Sequence, residues 1–119
     1  IIVFAMDIDD VAVRVARENV ALNGLEDRII VASGDITEEI PSQTADMVMA
    51  NITAEVIAGL IPAAARVIRP DGYLFASGLV ENQWPEVKAI LEANGLEIEQ
   101  VLQDVDWIGV AARKLDDGD

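Results

Sequence analysis

The sequence contains no cysteine and no histidine, and aromatic residues make up only 4% of it. Without cysteine, the chain has no disulfide, no thiolate metal ligand and no cysteine nucleophile. Without histidine, it lacks the usual general base and the commonest metal ligand, which excludes a hydrolase built on a serine–histidine pair within this chain. We therefore predict no metal site. Because aromatics are scarce, Val, Ile, Leu and Ala must fill most of the core.

Basic residues are also few, with 8 Lys and Arg against 22 Asp and Glu and a formal net charge of −14. A surface of this sign repels phosphate backbones, so we expect no direct contact with nucleic acid. It attracts a basic protein partner instead. Plain solubility is the alternative explanation for most of this charge.

Long apolar runs are absent, since none reaches the ~20 residues that a membrane span requires. Asp7, Asp9 and Asp10 follow the opening apolar run too closely for a signal peptide. We expect no membrane association and a cytoplasmic location. A length of 119 residues with 52% hydrophobic residues suits one packed globular domain.

Apolar runs without alternation are separated by stretches of helical periodicity, which predicts an α/β fold with a mostly parallel sheet. Val11, Val15, Ala16, Val20 and Leu22 are predicted to lie on one side of the first helix. The predicted inner face of the second helix consists of Val56, Ile57, Leu60, Ile61, Ala64 and Val67. The predicted strands are 1–6, 28–32, 46–50 and 73–77, and the predicted helices are 9–24, 53–68 and 81–94, with a loop at 36–44 and a turn at 69–72.

The last third of the sequence predicts a β-hairpin. Residues 96–101 alternate as an edge strand does, whereas residues 107–112 are almost wholly apolar and predict a strand covered on both faces. A short turn near 104–106 makes the two strands antiparallel. The whole is predicted to be a three-layer sandwich over residues 1–114, followed by a disordered acidic tail at 115–119.

Polar residues follow three of the predicted strands, and ligands of open parallel sheets lie beyond the carboxyl ends of strands. Asp7 is placed to accept hydrogen bonds from two ribose hydroxyls, or else to cap the next helix. Asp35 is placed to accept from an adenine amino group beside Gly34, although a Gly-Asp pair is also an ordinary turn. Asn51 is placed to orient an amine or to cap a helix, a role that Thr53 also suits.

These strand ends, read in order, resemble the class I, Rossmann-like methyltransferases, and in particular the family of enzymes that methylate ribosomal protein L11. The stretches that carry the resemblance run from position 2 to about position 114. They are Met6-Asp7-Ile8-Asp9, Ala16-Arg17-Glu18-Asn19, Asn23-Gly24, Ser33-Gly34-Asp35, Ala45-Asp46, Ala50-Asn51-Ile52, Ile68-Arg69-Pro70-Asp71-Gly72-Tyr73, Ala76-Ser77-Gly78 and Asp106-Trp107.

The resemblance implies an S-adenosylmethionine-dependent methyltransferase that modifies amino groups of a basic ribosomal protein, L11. It implies that Asp7 holds the ribose, Asp35 faces the adenine and Asn51 lies beside the methyl acceptor as the catalytic, acceptor-positioning residue. The cofactor-binding residues implied by the resemblance are Asp7, Ile8, Gly34, Asp35, Ile36 and Asn51.

One departure from the family pattern is large. Family members begin this domain with a strand and a Gly-rich loop that carries the methionine part of the cofactor, whereas this sequence begins at the next strand. We therefore expect an N-terminally incomplete domain that also lacks the family's N-terminal substrate-gripping domain. In the family fold, the missing strand lies in the middle of the sheet, between the strands predicted at 1–6 and 46–50. Either the chain is a fragment, or these two strands pair directly, or a second copy fills the gap by self-association.

Two other functions remain open on the sequence. A non-catalytic fragment or interaction module of the same fold would be unable to hold the cofactor unaided. A dinucleotide-binding domain of a dehydrogenase suits Asp7, but the terminal hairpin and Asn51 disfavour it.

Overall fold

The structure, a computed structural model, describes residues 1–7, 9–32, 40–51 and 54–116. None of the helices in these ranges combines the length and the hydropathy that crossing a membrane requires. In chain order the elements are β1 (Val3–Asp7), α1 (Asp10–Leu22), β2 (Ile29–Ala32), β3 (Ala45–Asn51), α2 (Ala54–Val67), β4 (Ile68–Val80), a 3-10 turn (Glu81–Gln83), α3 (Trp84–Ala93), β5 (Leu96–Asp104) and β6 (Trp107–Lys114).

The strands form one six-stranded sheet in the order β2-β1-β3-β4-β6-β5. The first four strands are parallel to one another, whereas β6 is antiparallel to both β4 and β5. The predicted α/β class, with its mostly parallel sheet and its terminal hairpin, is confirmed. The more apolar hairpin strand lies inside the sheet and the alternating strand at its edge, as predicted. The prediction that the apolar strand is covered on both faces was wrong, because α2 and α3 bury only the face with Ile108, Val110 and Ala112, while Trp107 on the other face is exposed.

β1 pairs directly with β3, from Val3 opposite Met47 to Asp7 opposite Asn51. Direct pairing, which is one of the three outcomes expected for the central position, is observed. The backbone groups of both strands are thereby satisfied within the chain, which an open gap in the middle of a sheet would not allow.

One face of the sheet is covered by α2 and α3, which also contact each other. Period-two alternation directs every second side chain of the strands into this core. The predicted inner face of α2 is confirmed at the residues whose side chains the structure describes. The core includes Phe4, Met6, Val48, Ala50, Ile57, Leu60, Ile61, Ala64, Val67, Leu74, Ala76, Val87, Leu91, Ile108, Val110 and Ala112.

α1 packs on the opposite face of the sheet, but not through the predicted side. Val13 is its buried residue, whereas Val11 and Leu22 are 58% and 83% exposed. At ~100° of rotation per residue, Val13 lies about 160–200° away from the other two, so the apolar residues of α1 form two opposed stripes and not one. The sheet covers only the stripe that contains Val13, and the prediction of a single apolar side was wrong.

β4 is longer than predicted, because the turn expected at 69–72 lies inside the strand. Pairing with β3 passes from Ala45 opposite Ile68 to Met47 opposite Tyr73, so the intervening residues of β4 bulge outward. Asp71 takes a left-handed φ of 68° within this bulge. The local turn residues therefore make an irregularity in a continuing strand, since Tyr73 onward re-enters the ladder.

The remaining boundaries shift slightly. The helix predicted from position 81 opens as the 3-10 turn, and α3 begins at Trp84 with Pro85 in its first turn. At the other end, the Leu115 amide donates to the Gly95 carbonyl at 2.9 Å. Residues 117–119 of the predicted tail lie outside the described residues, so the tail and the domain boundary at 114 stay predictions.

Candidate functional site

Three polar side chains meet at the carboxyl edge of the sheet. Asp7 of β1 is opposite Asn51 of β3, which is opposite Ser77 of β4. The Asn51 Nδ2 group donates to Asp7 Oδ2 at 3.4 Å, and the Ser77 hydroxyl donates to Asn51 Oδ1 at 3.3 Å. Each residue ends an apolar run, and the parallel register places the three ends in one row. The bonds are long and exposed, so a ligand can compete for these atoms.

The acidic residues that follow Asp7 in the sequence interact with the start of α1. Asp9 is the N-cap of α1, and its Oδ1 accepts from the Val11 amide at 2.9 Å. Asp7 Oδ1 accepts from the Asp9 amide at 3.0 Å. Capping thus falls mainly to Asp9, and Asp10 lies in the first turn of the helix. Within the described residues, no group of three or more carboxylates is arranged to hold a metal ion.

A cavity of about 470 Å³ lies behind this row, between α1 and the face of the sheet that α2 and α3 leave uncovered. Its size is within the ~300–1,000 Å³ typical of small-molecule sites. Met49, Phe75 and Leu102 contribute apolar walls. The cavity is lined by Ala5, Met6, Asp7, Ala12, Val13, Ala16, Val31, Met49, Ala50, Asn51, Phe75, Ala76, Ser77, Gln100, Leu102, Gly109, Val110 and Ala111.

Of the site residues predicted from the sequence, the structure brings Asp7 and Asn51 together. Sequence reasoning assigned no role to Ser77, although it follows an apolar run in the same way as the other two. That shared pattern was the signal that could have found it. Ile8, Gly34, Asp35, Ile36 and Thr53 lie outside the described residues.

Known proteins resemble the chain in both sequence and structure. The sequence model of the family described as ribosomal protein L11 methyltransferase (PrmA) matches residues 2–115. A ribosomal protein L11 methyltransferase from Syntrophomonas wolfei is 60% identical over 112 residues, which are 94% of this chain and 36% of the relative. One from Streptococcus uberis is 39% identical over 97% of this chain and 36% of the relative. The chain therefore spans about a third of the length of these relatives.

Solved structures agree with the architecture. The ribosomal protein L11 methylase of Lactobacillus delbrueckii subsp. bulgaricus superposes with a TM-score of 0.74 at 33% identity, covering 95% of this chain and 58% of that one. A SAM-dependent methyltransferase from Aquifex aeolicus has a TM-score of 0.63 at 21% identity, covering 96% and 69%, and supports the fold alone. With a family match over nearly its whole length, the chain belongs to the ribosomal protein L11 methyltransferase family.

Proposed function

We propose that this chain supplies part of the active site of an S-adenosylmethionine-dependent methyltransferase that acts on amino groups of ribosomal protein L11. The observation that carries the proposal is the row of Asp7, Asn51 and Ser77 at the mouth of an apolar cavity. The proposed substrate is that of the relatives, which are ribosomal protein L11 methyltransferases, and the cavity is large enough for a small-molecule ligand.

The described residues fit a nucleoside ligand. The Asp7 carboxylate is half-buried at the cavity mouth, and among the described residues its Oδ2 accepts only a 3.4 Å bond from Asn51 Nδ2. A carboxylate that can exchange such a weak partner for two ribose hydroxyls gains stronger, charge-assisted hydrogen bonds. Ile8, Gly34, Asp35 and Ile36 are proposed to complete the cofactor site from the family resemblance.

S-adenosylmethionine, when bound, supplies an electrophilic methyl group on a sulfonium sulfur. Asn51 would accept a hydrogen bond from the attacking amine through Oδ1, while Ser77 donates to the same oxygen and holds the amide plane. A carbonyl oxygen has two lone pairs, so both bonds can coexist. Catalysis by positioning a deprotonated amine needs no histidine.

A chimera tests the proposal. This chain replaces the matching 112 residues of the Syntrophomonas wolfei relative, and methylation of purified ribosomal protein L11 is measured in single-turnover mode. We expect an active chimera in which Asn51→Ala lowers the single-turnover rate by about 100-fold. Its affinity for S-adenosylhomocysteine should stay nearly unchanged, because the amide acts on the acceptor nitrogen.

The melting temperature of the same preparations separates catalysis from folding. If Asn51 is only a helix cap, Asn51→Ala lowers the melting temperature and leaves the single-turnover rate normal. An inactive chimera, alongside an active parent from Syntrophomonas wolfei, would contradict the proposed function.

A second candidate function is an interaction module of the same fold that cannot hold the cofactor unaided. The direct pairing of β1 with β3 favours it, because the family's central strand and Gly-rich loop have no space between these strands in this fold. The two candidates differ in one quantity, the affinity of the 119-residue chain for S-adenosylhomocysteine.

A further inference from the structure

The end of the β5–β6 hairpin carries three exposed apolar side chains within six residues. Leu102 is 63% exposed, Val105 is 79% exposed and Trp107 is 59% exposed. Single exposed apolar residues are ordinary, but a contiguous group marks an interaction surface. Tryptophan in particular is enriched at the centres of protein interfaces. We call Leu102, Val105 and Trp107 the hairpin patch.

The hairpin patch and the candidate site both lie at the end of the sheet where β1, β3 and β4 finish. Trp107 is opposite Val80, three residues beyond Ser77 on β4, and the Glu81 amide donates to the Asp106 carbonyl at 2.9 Å. From Asn51 the patch is two strands away and about three residues further along, a distance of roughly 15 Å. An extended polypeptide covers that distance with about five residues.

Acidic residues border the hairpin patch. Asp104, Asp106 and Glu81 surround it, and the sequence has no Lys or Arg at positions 70–87 or 89–112. Arg69, which contacts Asp46, and Arg113, which contacts Asp71, Glu97 and Glu99, lie at the opposite end of the strands. The edge with the patch thus combines apolar surface with a negative rim, which is complementary to a positively charged partner.

We propose that the hairpin patch, with its acidic rim, docks a positively charged segment of the protein that carries the acceptor amine. This inference rests on the proposed function. The apolar stems of Lys and Arg pack on Trp107 while their charged ends meet Asp104 and Asp106. Docking at this point leaves an amine about five residues away within reach of Asn51.

The test measures binding of purified ribosomal protein L11 to the 119-residue chain by calorimetry. Trp107→Ala removes the aromatic anchor. Val105→Gly removes an apolar side chain at a φ of 55°, a conformation that glycine adopts without strain, so the fold is retained. Each is expected to weaken binding by about tenfold. Equal binding by both variants and the unmodified chain, or no binding by the unmodified chain, overturns the proposal.

A charge-reversal pair controls for net charge. Asp104→Lys with Asp106→Lys should abolish binding, whereas Glu26→Lys with Asp27→Lys, in the exposed turn at the other edge, should change it by about threefold or less. Equal losses in both pairs would show attraction by net charge alone and contradict a local dock. A dimer that depends on Trp107, without L11 binding, would also overturn the proposal and assign the patch to a second copy.

Titration of the same variants with S-adenosylhomocysteine separates this inference from the proposed function. Loss of L11 binding in the hairpin variants, with S-adenosylhomocysteine bound as before, supports both. L11 binding that depends on the hairpin patch in a chain that never binds S-adenosylhomocysteine supports the dock and contradicts the proposed function.

Discussion

At the scale of single residues, two neighbouring aspartates have different hydrogen-bond partners. Asp9 accepts from backbone amides at the start of α1, while Asp7 turns one oxygen to the Asp9 amide and the other to Asn51. A lost N-cap costs about 1 kcal/mol of helix stability. A lost carboxylate that binds two hydroxyls costs more, because hydrogen bonds to charged groups contribute about 1.5–3 kcal/mol each.

Asp7→Ala in the chimera should therefore weaken S-adenosylhomocysteine binding by at least about tenfold. It should lower the free energy of unfolding by less than Asp9→Ala does. Asp9→Ala should lower the free energy of unfolding by about 1 kcal/mol and leave affinity within about threefold. Calorimetric titration and urea unfolding of both variants, with Asp10→Ala as a matched control, measure the two effects. Indistinguishable affinities in the three variants would remove Asp7 from the cofactor site.

The Asp46 side chain links β3 to β4 and to Ile2, the residue that precedes β1. Its Oδ2 accepts from the Ile2 amide at 2.8 Å, and its Oδ1 contacts the Arg69 guanidinium. The Ile2 amide first, and Arg69 second, hold the pKa of the Asp46 carboxyl below its usual value of 3.8. A carboxyl with a lowered folded-state pKa stabilises the fold above its unfolded-state pKa, and the contribution is lost as pH falls through the folded value.

Asp46→Asn should thus be less stable than the unmodified chain at pH 7. The difference in free energy of unfolding should hold down to about pH 4 and shrink below it, because the carboxyl of the unfolded chain takes up its proton near pH 3.8. Urea unfolding of both proteins at a series of pH values measures this difference in the free energy of unfolding. A difference that is constant between pH 7 and pH 2 would contradict the assignment.

At the scale of elements, the bulge of β4 depends on a glycine. A Cβ on Gly72 would lie 2.7 Å from Ile68 Cγ2, 2.8 Å from the Asp46 carbonyl oxygen and 2.9 Å from the Arg69 carbonyl oxygen. Two of these neighbours are backbone atoms, which cannot move without displacing β3 or the bulge. A Cβ on Gly59, in the middle of α2, would meet no described atom within 4 Å apart from the backbone of its own helix and its chain neighbours.

Gly72→Ala should lower the free energy of unfolding by about 3 kcal/mol through overpacking. Gly59→Ala is the matched control and should raise it by up to about 1 kcal/mol, because alanine favours an exposed helix interior. Chemical denaturation of both variants measures the two changes. Equal effects at the two positions would show that the close packing at Gly72 is not present in solution.

The same elements show what the sequence could predict. The inner face of α2 and the place of β6 inside the sheet follow from apolar spacing, because each has one consistent pattern. α1 has apolar residues on two sides, so spacing alone could not indicate which side the sheet covers. The turn residues at 69–72 predicted a local bend correctly, but re-entry of Tyr73 into the ladder depends on β3, which is distant in sequence.

The candidate site was predictable to a similar extent. Asp7 and Asn51 are predicted because polar residues end apolar runs, but their contact depends on direct pairing of β1 and β3, which is one of the three outcomes expected. Ser77 joins the candidate site through the register of β4 with β3, which the sequence does not indicate.

At the scale of the whole molecule, the chain spans about 36% of its curated relatives. The chain alone should bind S-adenosylhomocysteine at least about tenfold more weakly than the full-length Syntrophomonas wolfei relative, because its eight glycines form no Gly-x-Gly sequence of the kind that the family resemblance implies for the methionine part of the ligand. Calorimetry on the two proteins measures the ratio. Equal affinities would mean that the described edge of the sheet holds the ligand unaided.

The central claim is that this edge of the sheet binds the adenosine part of the cofactor, and weak binding does not prevent a direct test. The chain is labelled with ¹⁵N, and its amide spectrum is recorded during titration with S-adenosylhomocysteine. The account predicts saturable shifts that cluster at Asp7, Asn51 and Ser77 and that disappear in Asp7→Ala. Shifts confined to the opposite edge, around Asp46 and Arg113, or no shifts at millimolar ligand, would contradict it.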